Sequence, residues 1–315
     1  MPLFPRPTPS TVRAIYAAYE AANEHYDSLG ISVGEIGEAC DRALWYTLHW
    51  VSQPEVLDGR KLRLFQTGNI EEERLVQDLE RIGVEVYGQQ DRIRLVSGFV
   101  RGKCDGKAMG IPEAPKTEHL LEFKSTNEKG MNELQKKRSV REVKPLHFGQ
   151  CQIGMHAFGL SRCLYLASCK NTDTLYAELL EYDAEYCLRQ IARAQRLVCA
   201  SEPPSRISDK PDFFGCIFCK HKAVCHEGAF ARVTCRSCVH STAELGGDCH
   251  WSCARFSKPL SVDEQKAACP AHLYQPALVP GSLEDVDEAA ETITYTLRNG
   301  ETWVDGAAEK KEKTA

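Results

Sequence analysis

What the chain is short of narrows the field first. No apolar run approaches the roughly 20 residues a helix needs to cross a bilayer, so no membrane-spanning segment and no membrane partner are expected. The first residues, Met1 to Pro9, offer no basic segment followed by an apolar core, so no secretion signal is expected either. There is no glycine fingerprint for a dinucleotide, which counts against a redox enzyme driven by such a cofactor. An excess of one charge is also missing: 39 Lys and Arg stand against 44 Asp and Glu, a formal net charge of −5. That excludes a protein coated in basic surface but leaves room for a local groove that meets nucleic acid. Cysteine is not scarce. The 315 residues hold 15 of them, and without a secretion signal these read as reduced thiols and metal ligands instead of disulfides. The length suits one large domain with a smaller one attached.

Leu120-Leu121-Glu122-Phe123-Lys124-Ser125 reads as a β-strand, where residues two apart share a face. Glu122 and Lys124 then point together, away from Phe123. An acid and an amine side by side suit a divalent metal next to a phosphate or an activated water. Gly102-Lys103-Cys104-Asp105-Gly106, on the preceding strand or its turn, adds a second carboxylate. A helix over Arg63 to Ile82, ended by Gly83, carries Gly68-Asn69-Ile70-Glu71-Glu72-Glu73. Glu72 shares a face with Gly68 and is a third acidic candidate; a solvated acidic face is the plainer alternative.

The neighbouring runs Val84 to Tyr87, Arg92 to Val96, Phe99 to Lys107 and His119 to Lys124 read as consecutive strands. Asn127 to Lys144 reads as a charged connection. Its Lys129, Lys136, Lys137, Arg138 and Arg141 leave the Glu-x-Lys strand directly and are placed to meet phosphates, the alternative being a mobile surface loop. Leu146 to Leu160 is predicted to be a helix with Gln150, Cys151 and Gln152 near its start. Cys163 to Lys170 and Thr174 to Tyr182 are two more strands, and Ala184 to Ala200 an amphipathic helix. Towards the beginning, Ser10 to Tyr26 is helical by periodicity, and Ser32 reads as the N-cap of a helix carrying Ile36, Cys40, Leu44 and Leu48. This order implies an α/β protein with a mixed central β-sheet flanked by helices. Pro203 to Pro211 is a linker.

Two cysteine clusters follow. Cys216-x2-Cys219-x5-Cys225 is too tight to be packing and reads as a metal site lacking one ligand. That ligand is local, His221 or His226, or remote, Cys40. Four thiolates suit an iron–sulfur cluster, with zinc as the alternative. The second cluster is Cys235-x2-Cys238, then Cys249, His250 and Cys253, then Cys269-x2-His272. A Cys-x2-Cys knuckle with a later pair suits tetrahedral zinc, with Cys235, Cys238, Cys253 and Cys269 as the expected ligands and Cys249, His250 or His272 as replacements. Cys104, Cys151, Cys163, Cys169, Cys187 and Cys199 lie within predicted elements and read as core or surface thiols. After Pro280 one hairpin is expected, Ile293 to Val304, turning at Asn299-Gly300, before a charged tail from Ala307 to Ala315.

Taken together, these residues resemble the RecB-like branch of the PD-(D/E)XK nucleases, which includes the iron–sulfur nucleases of CRISPR adaptation and phage exonucleases. Gly68-x3-Glu72, Asp105, Glu122-Phe123-Lys124 and Gln150 fall in the order of that family's motifs, and Cys40 with Cys216, Cys219 and Cys225 follows its split cysteine pattern. The match covers roughly Ile31 to His226. The resemblance implies a restriction-endonuclease-like core over residues 1–228; the second cysteine cluster lies outside that pattern and looks like an appended zinc-binding module over 229–280, followed by a short hairpin and tail over 281–315. The resemblance implies a Mg2+- or Mn2+-dependent deoxyribonuclease of the exonuclease kind. Glu72, Asp105, Glu122 and the Phe123 carbonyl would hold the metal, Lys124 and Gln150 would assist, and a 4Fe–4S cluster would staple the two ends of the nuclease domain. DNA as single strands or duplex ends, a phage recombination or annealing protein, further copies of this chain and the cytoplasm of a bacterial host cell are the partners and setting it implies. The chain departs from the family at Gly154, where a Tyr four residues after Gln150 is the pattern; Gln152 with His156 is a shifted alternative. A nucleic-acid-binding protein that keeps the scaffold without the chemistry is the competing expectation, and an iron–sulfur redox protein a third.

Overall fold

The computed structural model describes residues 8–24 and 27–306, and its chain divides into two compact units interleaved along the sequence. The first comprises Met1–Asp27, Pro54–Arg92 and Lys103–Asp183; the second comprises Ser28–Gln53, Ile93–Gly102 and Ala184–Ala315. The chain is an α/β protein with mixed sheets and flanking helices. No helix among the described residues is long and apolar enough to cross a membrane.

In order, the elements are α1 (Ser10–Ala21), β1 (Ile31–Ser32), α2 (Asp41–Leu48), α3 (Gly59–Arg81), β2 (Glu85–Tyr87), β3 (Arg92–Leu95), β4 (Val100–Lys103), β5 (Gly106–Met109) and β6 (His119–Thr126). Then come α4 (Glu128–Lys137), α5 (Val140–Val143), α6 (Pro145–Phe158), β7 (Arg162–Cys169), β8 (Leu175–Glu181), α7 (Ala184–Cys199), α8 (Phe214–Ile217) and α9 (Lys222–His226). The chain closes with β9 (Ser241–Glu244), β10 (His250–Cys253), β11 (Lys258–Leu260), α10 (Val262–Ala267), β12 (Gly281–Asp287), β13 (Thr292–Leu297) and β14 (Thr302–Asp305).

The first unit is built on a five-stranded sheet in the order β2-β5-β6-β7-β8. Only β6 and β7 run parallel; the remaining pairs are antiparallel. A parallel pair needs a long crossover, and α4, α5 and α6 supply it. The central strand β6 is buried from His119 to Phe123. Its Leu121 and Phe123 pack with Leu164 and Leu166 of β7 and with Leu75, Val76 and Leu79 of α3, apolar positions that share one stripe of that helix. The alternate residues Leu120, Glu122 and Lys124 lie on the other face. There α6 comes so close that a Cβ on Gly154 would stand 2.6 Å from a methyl carbon of Leu120. A tyrosine at that position, as in the family pattern, has no room unless Leu120 moves.

The second unit holds three small sheets in the orders β1-β4-β3, β11-β10-β9 and β12-β13-β14, apart from the end residues Arg92 and Lys103, which group with the first unit. Leu48, Phe99, Val198, Cys249 and Trp251 form a core there. Arg193 of α7 pairs with Asp41 and donates to the carbonyls of Ile36 and Glu38, fixing the segment that leads into α2.

Several expectations need correction. Ser32 caps only a short 3-10 turn, Val33–Glu35, and α2 starts at Asp41 with Cys40 in its N-cap position. The run Phe99 to Lys107 is not one strand: it breaks at Cys104-Asp105 into β4 and β5, which belong to different sheets. The stretch Asn127 to Lys144 is not a loop but α4 and α5, because Met131 and Leu134 give α4 a buried side and Asn127 caps it by accepting from Gly130 N. The C-terminal hairpin gains a third strand, β12, whose residues are all exposed. The first helix ends at Ala21; Tyr26 and the tail from Ala307 to Ala315 lie outside the described residues.

Candidate functional site

In the first unit, Asp105 is the residue before β5, and the antiparallel register pairs Gly106 with Leu121. Continuing that register puts Asp105 opposite Glu122. Its Oδ2 accepts a hydrogen bond from Phe123 N at 2.6 Å. Glu122 is 2 % exposed and forms an ion pair with Lys124, the neighbour two residues along on the same face. Glu72 of α3 accepts from Gln90 Nε2 at 2.9 Å and acts electrostatically on both Asp105 and Lys124. Three carboxylates and one amine thus lie near enough to act on one another electrostatically.

Burial pushes the Glu122 carboxyl up to about 8, with Lys124 opposing and the nearby Asp105 and Glu72 adding to the rise. Burial likewise raises Asp105, against the pull of Lys124 and the Phe123 amide. Burial and then Asp105 raise Glu72, with Gln90 opposing. On Lys124, burial works downwards but is outweighed by Glu122 and Asp105, which hold the ammonium charged. Each acid is thus an uncomfortable anion for want of positive charge. Three hard oxygen donors of this kind fit Mg2+ or Mn2+. Among the described residues, however, no three His, Cys, Asp or Glu side chains are already gathered around a point where an ion could sit. As they stand, Asp105 and Glu122 are turned to donors of the protein itself.

Four neighbours of these charged groups carry no sequence signal. Tyr165 of β7 lies beside Glu122 in the parallel register, and its hydroxyl shares a 2.9 Å hydrogen bond with His147 Nδ1. Burial, then Lys124 and Lys144, lower His147 to about 4, so it is neutral at pH 7. Cys151 of α6 hydrogen-bonds Cys163, and burial pushes both thiols up. Gln150 is half-buried on α6, and no hydrogen bond ties it to the four charged groups among the described residues. Gln152 and His156 serve elsewhere. Gln152 clamps the end of β8 through Glu181 O and Asp183 N, both at 2.8 Å, and His156 Nδ1 pairs with Tyr182 OH at 2.7 Å.

The basic residues ride on the crossover. Lys129, Lys136, Lys137, Arg138 and Arg141 are all exposed. Lys137 is paired with Glu142, and Arg141 pairs with Asp183 and lies over the ring of Phe148.

In the second unit, Cys40, Cys216, Cys219 and Cys225 line one cavity of about 320 Å3. Both ring nitrogens of His221 are hydrogen-bonded, to Thr47 Oγ1 at 3.1 Å and Ser52 Oγ at 2.8 Å. Cys235, Cys238, Cys253 and Cys269 line a second cavity of about 20 Å3, together with His240 and His272. Of the remaining thiols, Cys104, Cys151, Cys163, Cys169 and Cys187 are buried and Cys199 is exposed.

No protein-family model and no curated protein matches the chain. Among solved structures it is similar to an alkaline exonuclease, LHK-Exo, from Laribacter hongkongensis. The structure in complex with dAMP is 15% identical over 59% of this chain and 90% of that chain, with a TM-score of 0.41. A second structure of that protein is 14% identical over 57% and 90%, again with a TM-score of 0.41. The crystal structure of SSO0001 is 13% identical over 68% of this chain and 95% of that chain, with a TM-score of 0.40. Likeness at this level carries no chemistry, which has to come from the pocket's own atoms.

Proposed function

We propose that this protein is a metal-dependent DNA nuclease of the exonuclease kind, hydrolysing phosphodiester bonds at the pocket of Asp105, Glu122 and Lys124. The observation that carries this reading is Asp105, bonded to the Phe123 amide at 2.6 Å, beside the Glu122–Lys124 ion pair, with Glu72 near enough to act on them electrostatically. A buried surplus of carboxylates is costly on its own and is stabilised by a divalent cation. Asp105 and Glu122, with Glu72 and the Phe123 carbonyl, would hold Mg2+ or Mn2+. Such an ion supplies a Lewis acid for a phosphate oxygen and lowers the pKa of a water.

The chain's own groups do the rest. Lys124 is a quarter exposed and kept charged, so it orients a water and balances negative charge growing on the phosphorus-bound oxygens. Glu122 holds the Lys124 ammonium in place. The Phe123 amide fixes Asp105 in one rotamer. Gln150, near the start of the same helix as His147, is assigned to steadying the phosphate. Exposed Lys129, Lys136 and Arg138 on the crossover would meet the backbone of the substrate. In the second unit, the Cys40, Cys216, Cys219 and Cys225 cavity fits a 4Fe–4S cluster in donor type and room.

The test is cleavage of single-stranded, duplex and nicked DNA by the purified chain with Mg2+ or Mn2+. Cleavage is expected to fall by about 1,000-fold or more in Glu122→Gln and Lys124→Ala, each with an unchanged circular dichroism spectrum. Folded protein that leaves every DNA form intact defeats the reading, and binding without cleavage would turn it into that of a nucleic-acid-binding protein.

A further inference from the structure

Cys235, Cys238, Cys253 and Cys269 line the second cavity with His240 and His272, whereas the other two candidates, Cys249 and His250, lie outside it. Cys249 is committed to the core: its Sγ donates to Leu29 O at 2.7 Å and its side chain packs with Trp251. His250 is exposed and folded over its own turn, so near Gly247 that a Cβ there would stand 2.7 Å from the ring. His272 Nε2 is engaged with Ser237 Oγ at 3.2 Å. Cys235, Cys238, Cys253 and Cys269 bring four thiols to the cavity from a 3-10 turn, the end of β10 and the segment after α10, with Cys235 Sγ donating to Glu264 O at 3.3 Å. They surround about 20 Å3, close to the room a single water takes. A space of that size suits one ion.

The knuckle has a second peculiarity. Between its two cysteines lies Arg236, 1 % exposed. Its guanidinium is sandwiched between Trp50 and Trp251, 3.7 and 4.9 Å from the ring centres. It donates to Gln265 Oε1 at 2.8 Å and to the carbonyls of Leu29 at 3.0 Å and Leu48 at 2.8 Å. Leu48 is the last residue of α2, the helix whose N-cap is Cys40.

We propose that Cys235, Cys238, Cys253 and Cys269 bind one zinc ion as a closed tetrathiolate site, and that this ion fixes the knuckle whose Arg236 bolts it to the end of α2. The four thiols draw inward on binding, since they do not already stand at coordination spacing. The role is structural and independent of whether the other unit cleaves DNA.

The test is elemental analysis of the untagged full-length chain, grown with both iron and zinc. One zinc per chain is expected, lost in Cys238→Ser and in Cys269→Ser and kept in Cys249→Ala. Native protein without zinc, zinc retained by both serine variants, or iron in that site overturns the proposal. A measurement on the unmutated chain guards against variants that fail to fold. Stripping with a zinc chelator should speed hydrogen exchange at least tenfold in residues 234–240 and at the end of α2; unchanged exchange in the stripped protein also overturns it. None of these readouts depends on cleavage, so a chain that binds zinc and cuts nothing would leave this inference standing while the nuclease reading fell.

Discussion

The carboxylate pocket and the thiol cavities are built from different material. Asp105, Glu122 and Lys124 hang on a hydrogen-bonded ladder, with β6 paired on both sides. The cysteines hang on fragments: α8 has 4 residues, α9 has 5, and Cys235 opens a 3-10 turn of 3. Helices this short do not form alone, because nucleation costs more than so few bonds return. The ladder holds its charged groups in register whatever occupies the pocket. If the thiols bind the proposed metals, the fragments lean on them, and in the second unit metal binding and folding would become one event. The comparison separates a site the fold makes from sites that make the fold.

The largest effect should come from breaking the first thiol site. Cys216→Ser, or Cys40→Ser, is expected to bleach the visible absorption of an iron–sulfur protein and to cost on the order of 5 kcal/mol or more in the second unit. Hydrogen exchange should show residues 28–53 and 204–226 losing protection while the amides of β6 and β7 keep theirs. Equal loss on β6 and β7 would break the distinction between the two kinds of site.

A middle-sized effect concerns charge in the ladder pocket. The folded Glu122 carboxyl titrates near 8 against an ordinary 4.5, so the folded state holds its proton more tightly than the unfolded chain. Its contribution is then fully present below about 4.5 and is lost as pH rises towards 8. Asp105 and Glu72 are raised too and act with the same sign, whereas the raised Lys124 matters only at higher pH. In EDTA, urea melts between pH 5 and pH 8 should therefore show the first unit losing on the order of 2–4 kcal/mol. Added Mg2+ should reverse most of that loss. A stability that stays flat or rises over this window, with or without Mg2+, would mean the three acids are not held together as buried anions.

How far the sequence reveals each region follows the same division. Glu122 and Lys124 are legible because a strand's period of 2 is local, and Cys216, Cys219 and Cys225 because they are close in sequence. The break at Cys104-Asp105 is not legible, since Gly102 to Gly106 looks like continuing strand until β4 and β5 are seen in different sheets. Tyr165 and His147 reach the pocket through a register and a crossover that no window of residues contains. Helix α4 hides behind its charges, with Met131 and Leu134 as its main apolar signal. Strand β12 hides because Gly281 to Asp287 buries nothing and is specified by its partner β13. Only the folded structure places Arg236 between two indoles.

The smallest effect belongs to the crossover. Lys129 and Lys136 line a shallow groove on α4, and Glu128 and Glu133 line it with them, so the local field there is nearly balanced. Lys129→Ala with Lys136→Ala should weaken DNA binding only a few-fold and reduce the salt dependence of binding by about two phosphate contacts. The rate of cleavage at saturating DNA should not change, because neither lysine reaches the carboxylates. Lys137→Ala should do less still, since that ammonium is already engaged by Glu142 at 3.1 Å. Measured by anisotropy over a salt series, a double variant with an unaltered slope would take the crossover out of the binding surface. A collapse of cleavage at saturation would instead tie α4 to the pocket, making the ladder less self-sufficient than its hydrogen bonds imply.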